Sequence, residues 1–94
     1  MRSKPSGVDG EQAAAVALQG LTFLAGDVAR LSRFLALTGI GPDALRAAAG
    51  GTAVQIAVLE YLLGDESLLL VFAAESGVPA GVIAAAHAAM TVRR

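Results

Sequence analysis

His87 is the sole histidine of the chain, and cysteine is absent. Disulfides, thiolate metal sites and a cysteine nucleophile are therefore excluded by composition. A metal centre needs several ligands converging on one point. The carboxylate nearest to His87 along the chain is Glu75, across the Gly77-Val78-Pro79 turn. His87 is accordingly expected on a helix surface, facing solvent or a neighbouring carbonyl, and not holding a metal. The pair Asp65-Glu66 has the residue types of an acid and a base. Asp27 stands 38 positions before Asp65, with Val28 behind it, so capping and favourable charge at a helix start explain both. The loops Gly39-Ile40-Gly41-Pro42 and Gly50-Gly51 carry no GxGxxG or GKS/T signature and follow no strand, and they read as helix stops. No catalytic residue, cofactor, metal or small-molecule substrate is implied, and the chain is expected not to be an enzyme.

Binding is the chemistry that remains. Arg30 and Arg33 lie one helical turn apart, Leu37 continues their stripe, and Arg46 joins from the next helix. One reading is a solvated face with an Asp27–Arg30 pair of little net worth. The sharper reading is a partner-binding patch, because arginine flanking an apolar residue is common at interfaces. A third is a nucleic-acid-associated regulator using Arg30, Arg33 and Arg46. Against it stand seven Lys and Arg facing eight Asp and Glu, a net charge of -1, and the lack of aromatic stacking platforms beside the arginines.

These residues need helices to position them. Hydrophobic residues make up 55% of the 94-residue chain, much of that alanine, with mean hydropathy +0.65 and four aromatics: Phe23, Phe34, Phe72 and Tyr61. The expected core is Leu, Val, Ile and Ala at close helix–helix distances. The most apolar stretch, Ala53 to Ala74, carries Glu60, Asp65 and Glu66 near its middle. A charge at a bilayer centre costs about 2.5 kcal/mol or more, so no membrane span is expected. Arg2 and Lys4 precede Asp9 and Glu11, which is not the pattern of a secretion signal. Residues 1–8, with Pro5 and Gly7, read as a disordered tail, residues 9–94 as a single all-helical domain, and a reducing cytoplasm as the setting.

Sliding the chain over itself by 38 positions reveals a repeat. Leu21, Phe23, Leu24, Gly26 and Asp27 fall on Leu59, Tyr61, Leu62, Gly64 and Asp65. Leu31, Phe34, Ala36, Gly39 and Ile40 fall on Leu69, Phe72, Ala74, Gly77 and Val78. After a one-residue gap Pro42 meets Pro79. Two similar three-helix halves, about 11–49 and 52–91, follow from this alignment. In the first, a helix from about Glu11 to Ala25 is capped by Asp9 or Gly10 and ended by Gly26. Asp27 caps a second helix bearing Val28, Leu31, Phe34, Leu35 and Thr38 on one face, and Pro42 opens a short third. In the second, Thr52 with Gln55 makes a capping box and the helix runs to Leu63. Asp65 caps its successor, and a last helix runs from Pro79 to about Thr91, with Arg93 and Arg94 at its end. Gly39 and Gly77 should take positive φ, with Ile40 and Val78 folding back on the helices they follow. The fold class is all-α, a compact array of five to six short helices.

The run Phe34-Leu35-Ala36-Leu37-Thr38-Gly39-Ile40-Gly41-Pro42, with Leu45-Arg46 and then Gly64-Asp65-Glu66, resembles a family of short alphaproteobacterial proteins catalogued as domain of unknown function 3572. The likeness runs from about Ala13 to Met90. Gly50-Gly51-Thr52 departs from it where a bulkier join is usual, as does His87 where arginine is. The resemblance implies a small α-helical bacterial protein with a hint of a signalling setting, and it supplies no activity or site residues.

The halves differ in one respect that bears on partners. Arg30, Arg33 and Leu37 map onto Leu68, Val71 and Glu75, so the helix after Asp65 is apolar nearly all round. Such a helix is either buried centrally by both halves or leaves a face for a second copy or another protein. The expectation is a homodimer or stable partner complex using Leu68, Leu70 or Val71.

Overall fold

In a computed structural model describing residues 9–48 and 51–91, there are six α-helices and no strand among the described residues. They are α1 (Gly10–Ala25), α2 (Val28–Thr38), α3 (Pro42–Ala48), α4 (Thr52–Leu63), α5 (Glu66–Ser76) and α6 (Ala80–Thr91). The starts of α1, α2 and α5 and the ends of α2 and α5 fall where the chain offers capping chemistry. The protein is all-α. The tail expected at 1–8 and the C-terminal Arg93 and Arg94 lie outside the described residues.

Asp9 caps α1 in a full capping box: its carboxylate accepts from the Gln12 amide at 2.8 Å, while the Gln12 side chain accepts from the Asp9 amide. Asp27 accepts from the amides of Ala29 and Arg30, and Asp65 from that of Leu68. The Thr52–Gln55 box does not form. Gly51 takes the N-cap position and Thr52 is already helical, so the threonine hydroxyl stands one residue too late to cap.

Gly39 and Gly77 close α2 and α5 with φ of 76° and 78°, the left-handed conformation that is cheap only for glycine. The residue before each repeats the same bonds. The Thr38 and Ser76 hydroxyls each donate to a phenylalanine carbonyl one turn back, Phe34 or Phe72, at 2.7 Å. Each hydroxyl oxygen also accepts the amide of the second residue on, Ile40 or Val78. Both of those residues pack, half-buried, against the core.

α1, α4 and α6 pack on one another and form the centre, with α2 and α5 on the flanks. Gly20 is what lets α1 and α4 meet: a Cβ there would stand 2.8 Å from Val58 Cγ1 and 3.0 Å from Leu62 Cδ1. The core combines Ala13, Ala17 and Ala86 with leucines, valines and Ile83, as composition suggests, but its largest members are Phe34 and Phe72. The aromatic contacts occur in exchanged form. Phe23 on α1 meets Phe72 on α5 with ring centroids 5.2 Å apart, and its counterpart Tyr61 on α4 meets Phe34 on α2 at 5.3 Å. Such reciprocity is what a two-fold axis between α1–α2 and α4–α5 would impose.

The third helices break the pattern. α6 buries Ile83 and Ala86 against α1 and α4, whereas α3 rests on α4 at the margin with Leu45 half-buried. One central position exists and α6 fills it. α5 is therefore not the centre of the array: of its residues only Phe72 is fully buried, Leu68 and Leu69 are half-buried, and Leu70 and Val71 are exposed. The Cα envelope measures 44 × 27 × 17 Å, and a short axis of about two interhelical spacings cannot enclose a flanking helix on every side.

Candidate functional site

The residues singled out by type do not gather in one place. Arg30 is half-buried, its guanidinium 4.5 Å from the centroid of the Phe23 ring. It makes that cation–π contact and not the expected ion pair with Asp27, whose carboxylate is turned to the α2 amides. Arg33 and Leu37 continue along the same flank of α2, and Leu37 is 70% exposed. Arg46 sits apart. It pairs with Asp43 at 3.2 Å in full solvent and lines a groove of about 270 Å³ with Leu21, Leu31, Leu35 and Pro42. Leu70 is 55% exposed and is not among the residues packed against the core.

Arg30, Arg33 and Leu68 do come together. With Ala29, Tyr61 and Asp65 they line a depression of about 120 Å³ between the first turns of α2 and α5. Arg30 and Leu68 are counterparts 38 positions apart, so this depression lies where the two halves adjoin. Two further clefts are larger, and the first of them shares Arg33, Tyr61 and Asp65 with the depression. Between α2 and α4 a cleft of about 350 Å³ is lined by Arg33, Leu37, Glu60, Tyr61, Gly64 and Asp65. Between α1 and α5 a cleft of about 400 Å³ is lined by Leu18, Thr22, Phe23, Phe72, Glu75 and neighbours. In the 38-residue alignment Phe23 corresponds to Tyr61, Thr22 to Glu60 and Glu75 to Leu37, so the two clefts have corresponding positions in their linings but different rims.

These clefts were only half visible in the sequence. Leu18, Phe23 and Tyr61 come from α1 and α4, which read simply as core helices. Glu75 is legible both as the carboxylate nearest His87 along the chain and as the counterpart of Leu37 in the 38-residue alignment, but neither reading places it on a cleft rim. His87 ignores Glu75. Its Nε2 lies 3.1 Å from Glu60 Oε2, because α6 packs along α4 and brings residues 27 positions apart together. Among the described residues no group of three or more His, Cys, Asp or Glu side chains is arranged to hold a metal ion.

The family described as "Protein of unknown function (DUF3572)" matches residues 10–92, from the first turn of α1 to just past α6. The chain belongs to this family. No curated protein or solved structure matches it. In this DUF3572 member the distinctive pieces have local roles. Phe34 is core, Gly39 is the left-handed cap, Asp65 is the cap of α5, and Arg33 is an exposed side chain on a cleft rim. No single helix among the described residues is long and apolar enough to cross a membrane. The bent pairs α1–α2 and α5–α6 turn by 117° and 105° at their glycine-bearing joins.

Proposed function

We propose that this DUF3572 protein is a non-enzymatic interaction module, an adaptor for a protein partner in bacterial signalling or regulation, working in the cytoplasm. We further infer that its two halves arose by duplication and that the duplicated clefts are its binding surface. The observation that carries the reading is Leu37: a large apolar side chain left 70% exposed, one turn from Arg33, on the rim of a cleft floored by Tyr61. Val71 holds the position equivalent to Arg33 on α5 and is also exposed, beside Glu75. Arginine and tyrosine, here Arg33 and Tyr61, are enriched at protein interfaces, and an exposed leucine beside them adds apolar surface for a partner to cover. The nucleic-acid reading gains no support, since Arg46 lines a different groove and Arg33 shares its cleft with Glu60 and Asp65.

Affinity capture from native lysate tests the reading. Wild-type protein is compared with a Leu37→Glu/Val71→Glu variant, which alters only exposed positions and is expected to keep its helical circular dichroism and its stability within about 0.5 kcal/mol. Enrichment of specific proteins by the wild type should fall by about tenfold or more in the variant. Undiminished capture by a folded variant would remove the proposed surface. Retention on DNA that falls steeply with salt would replace it with the nucleic-acid reading.

A further inference from the structure

We propose that the partner seated on this surface is a second copy of the same chain. Leu37 of each copy enters the α1–α5 cleft of the other, and Arg33 reaches Glu75. The proposal rests on the interaction-module reading and names its occupant.

The α1–α5 cleft offers a largely apolar seat with one charge, and the exposed Gln19 on its wall. Its floor is the Phe23–Phe72 ring pair. The Thr22 and Ser76 hydroxyls on its walls are both turned back to carbonyls of their own helices, at 2.9 and 2.7 Å. Leu18 stands 55% exposed at its edge. The acid on its rim is Glu75. A ligand that fits presents a branched apolar side chain and, one turn away, a cation. The flank of α2 presents that combination in Leu37 and Arg33.

The register is set by spacing. Arg33 and Leu37 are four residues apart, and so are Val71 and Glu75. Laid antiparallel, the two flanks set Arg33 on Glu75 and Leu37 at the level of Val71, next to Phe72 of the cleft floor, whereas a parallel arrangement sets Leu37 against the carboxylate and the guanidinium against Val71. Among the described residues neither Arg33 nor Glu75 has an ion-pair partner within the chain. The repeat supplies the closure. Arg33 and Val71 are counterparts, as are Leu37 and Glu75, so equivalent positions in the halves carry complementary chemistry. One copy therefore bears both the donor and the acceptor flank, and the reciprocal pairing gives two identical contacts in a closed two-fold dimer.

Sedimentation of the full chain across a concentration series tests this, with the wild type, Arg33→Glu, Glu75→Arg and the double exchange. Far-UV circular dichroism confirms that each folds. The wild type should dimerise, and each single variant should raise the dimer Kd by about tenfold or more, since two attractive pairs per dimer become repulsive. The double exchange restores both pairs and the wild-type net charge, and should return Kd to near the wild-type value. A wild type that stays monomeric throughout, or a dimer indifferent to the single variants, would overturn self-pairing. Either result leaves the interaction-module reading standing, because that reading is tested separately, by capture from lysate with Leu37→Glu/Val71→Glu and by retention on DNA.

Discussion

Phe34→Ala and Phe72→Ala are each expected to destabilise the protein by about 3–5 kcal/mol in urea denaturation, the cost of emptying a fully packed aromatic site. Both rings are essentially without solvent exposure, and each touches a second ring across the halves. Aromatic pairs contribute about 0.5–1.5 kcal/mol beyond their burial, so the loss includes that coupling. A domain of this size has a total stability of roughly 5–15 kcal/mol, which makes either substitution close to unfolding. The two should behave alike, because Phe34 and Phe72 hold equivalent places: each a turn before a hydroxyl that bonds its carbonyl, each facing an aromatic of the other half. Leu70→Ala, on the outer side of the same helix as Phe72, should change stability by less than about 1 kcal/mol. A loss below about 1 kcal/mol for one phenylalanine alone would contradict the equivalence of the halves.

The second large effect is at Gly20. A methyl group there meets Val58 Cγ1 at 2.8 Å, and Val58 is itself fully buried and, being β-branched, stiff. For Gly20→Ala the gain in helix propensity, about 1 kcal/mol, partly offsets the overpacking, and a modest net loss is expected. Gly20→Leu has no such balance. It must force α1 and α4 apart along the contact that builds the centre, and a loss of about 3 kcal/mol or more is expected, read as a drop in melting temperature in calorimetry. Gly10→Leu, at a position with nothing within 4 Å of the added carbon, serves as the comparison.

The sequence made the helix ends legible because caps are local. Asp27, Asp65, Gly39 and Gly77 each act within a few residues, and the repeat showed every one of them twice. The failure at Thr52 has the same origin in reverse: Gly51 and Thr52 both tolerate the N-cap position, and the local signal does not choose between them; the glycine holds it. What could not be read was which helices meet. The apolar pattern of α5 is compatible with a central or a flanking place, and only α6 taking the centre decides it. The clefts inherit that ignorance, since Leu37 and Glu75 become rim residues only once α2 lies on α4 and α5 on α1. Arg30 illustrates the point within a single side chain. Spacing paired it with Asp27, and tertiary structure supplied the Phe23 ring instead.

The claim that the two cleft rims are where this protein meets a partner is tested most directly by photo-crosslinking in living cells. A photoreactive phenylalanine is placed singly at position 37, on one cleft rim, at position 71, exposed one turn from the rim residue Glu75, and at Ser32 and Ala74, exposed elsewhere on the same two helices. The account predicts discrete protein adducts on irradiation from positions 37 and 71, and none from 32 and 74. Silence at all four positions, or equal adducts from all four, would contradict it.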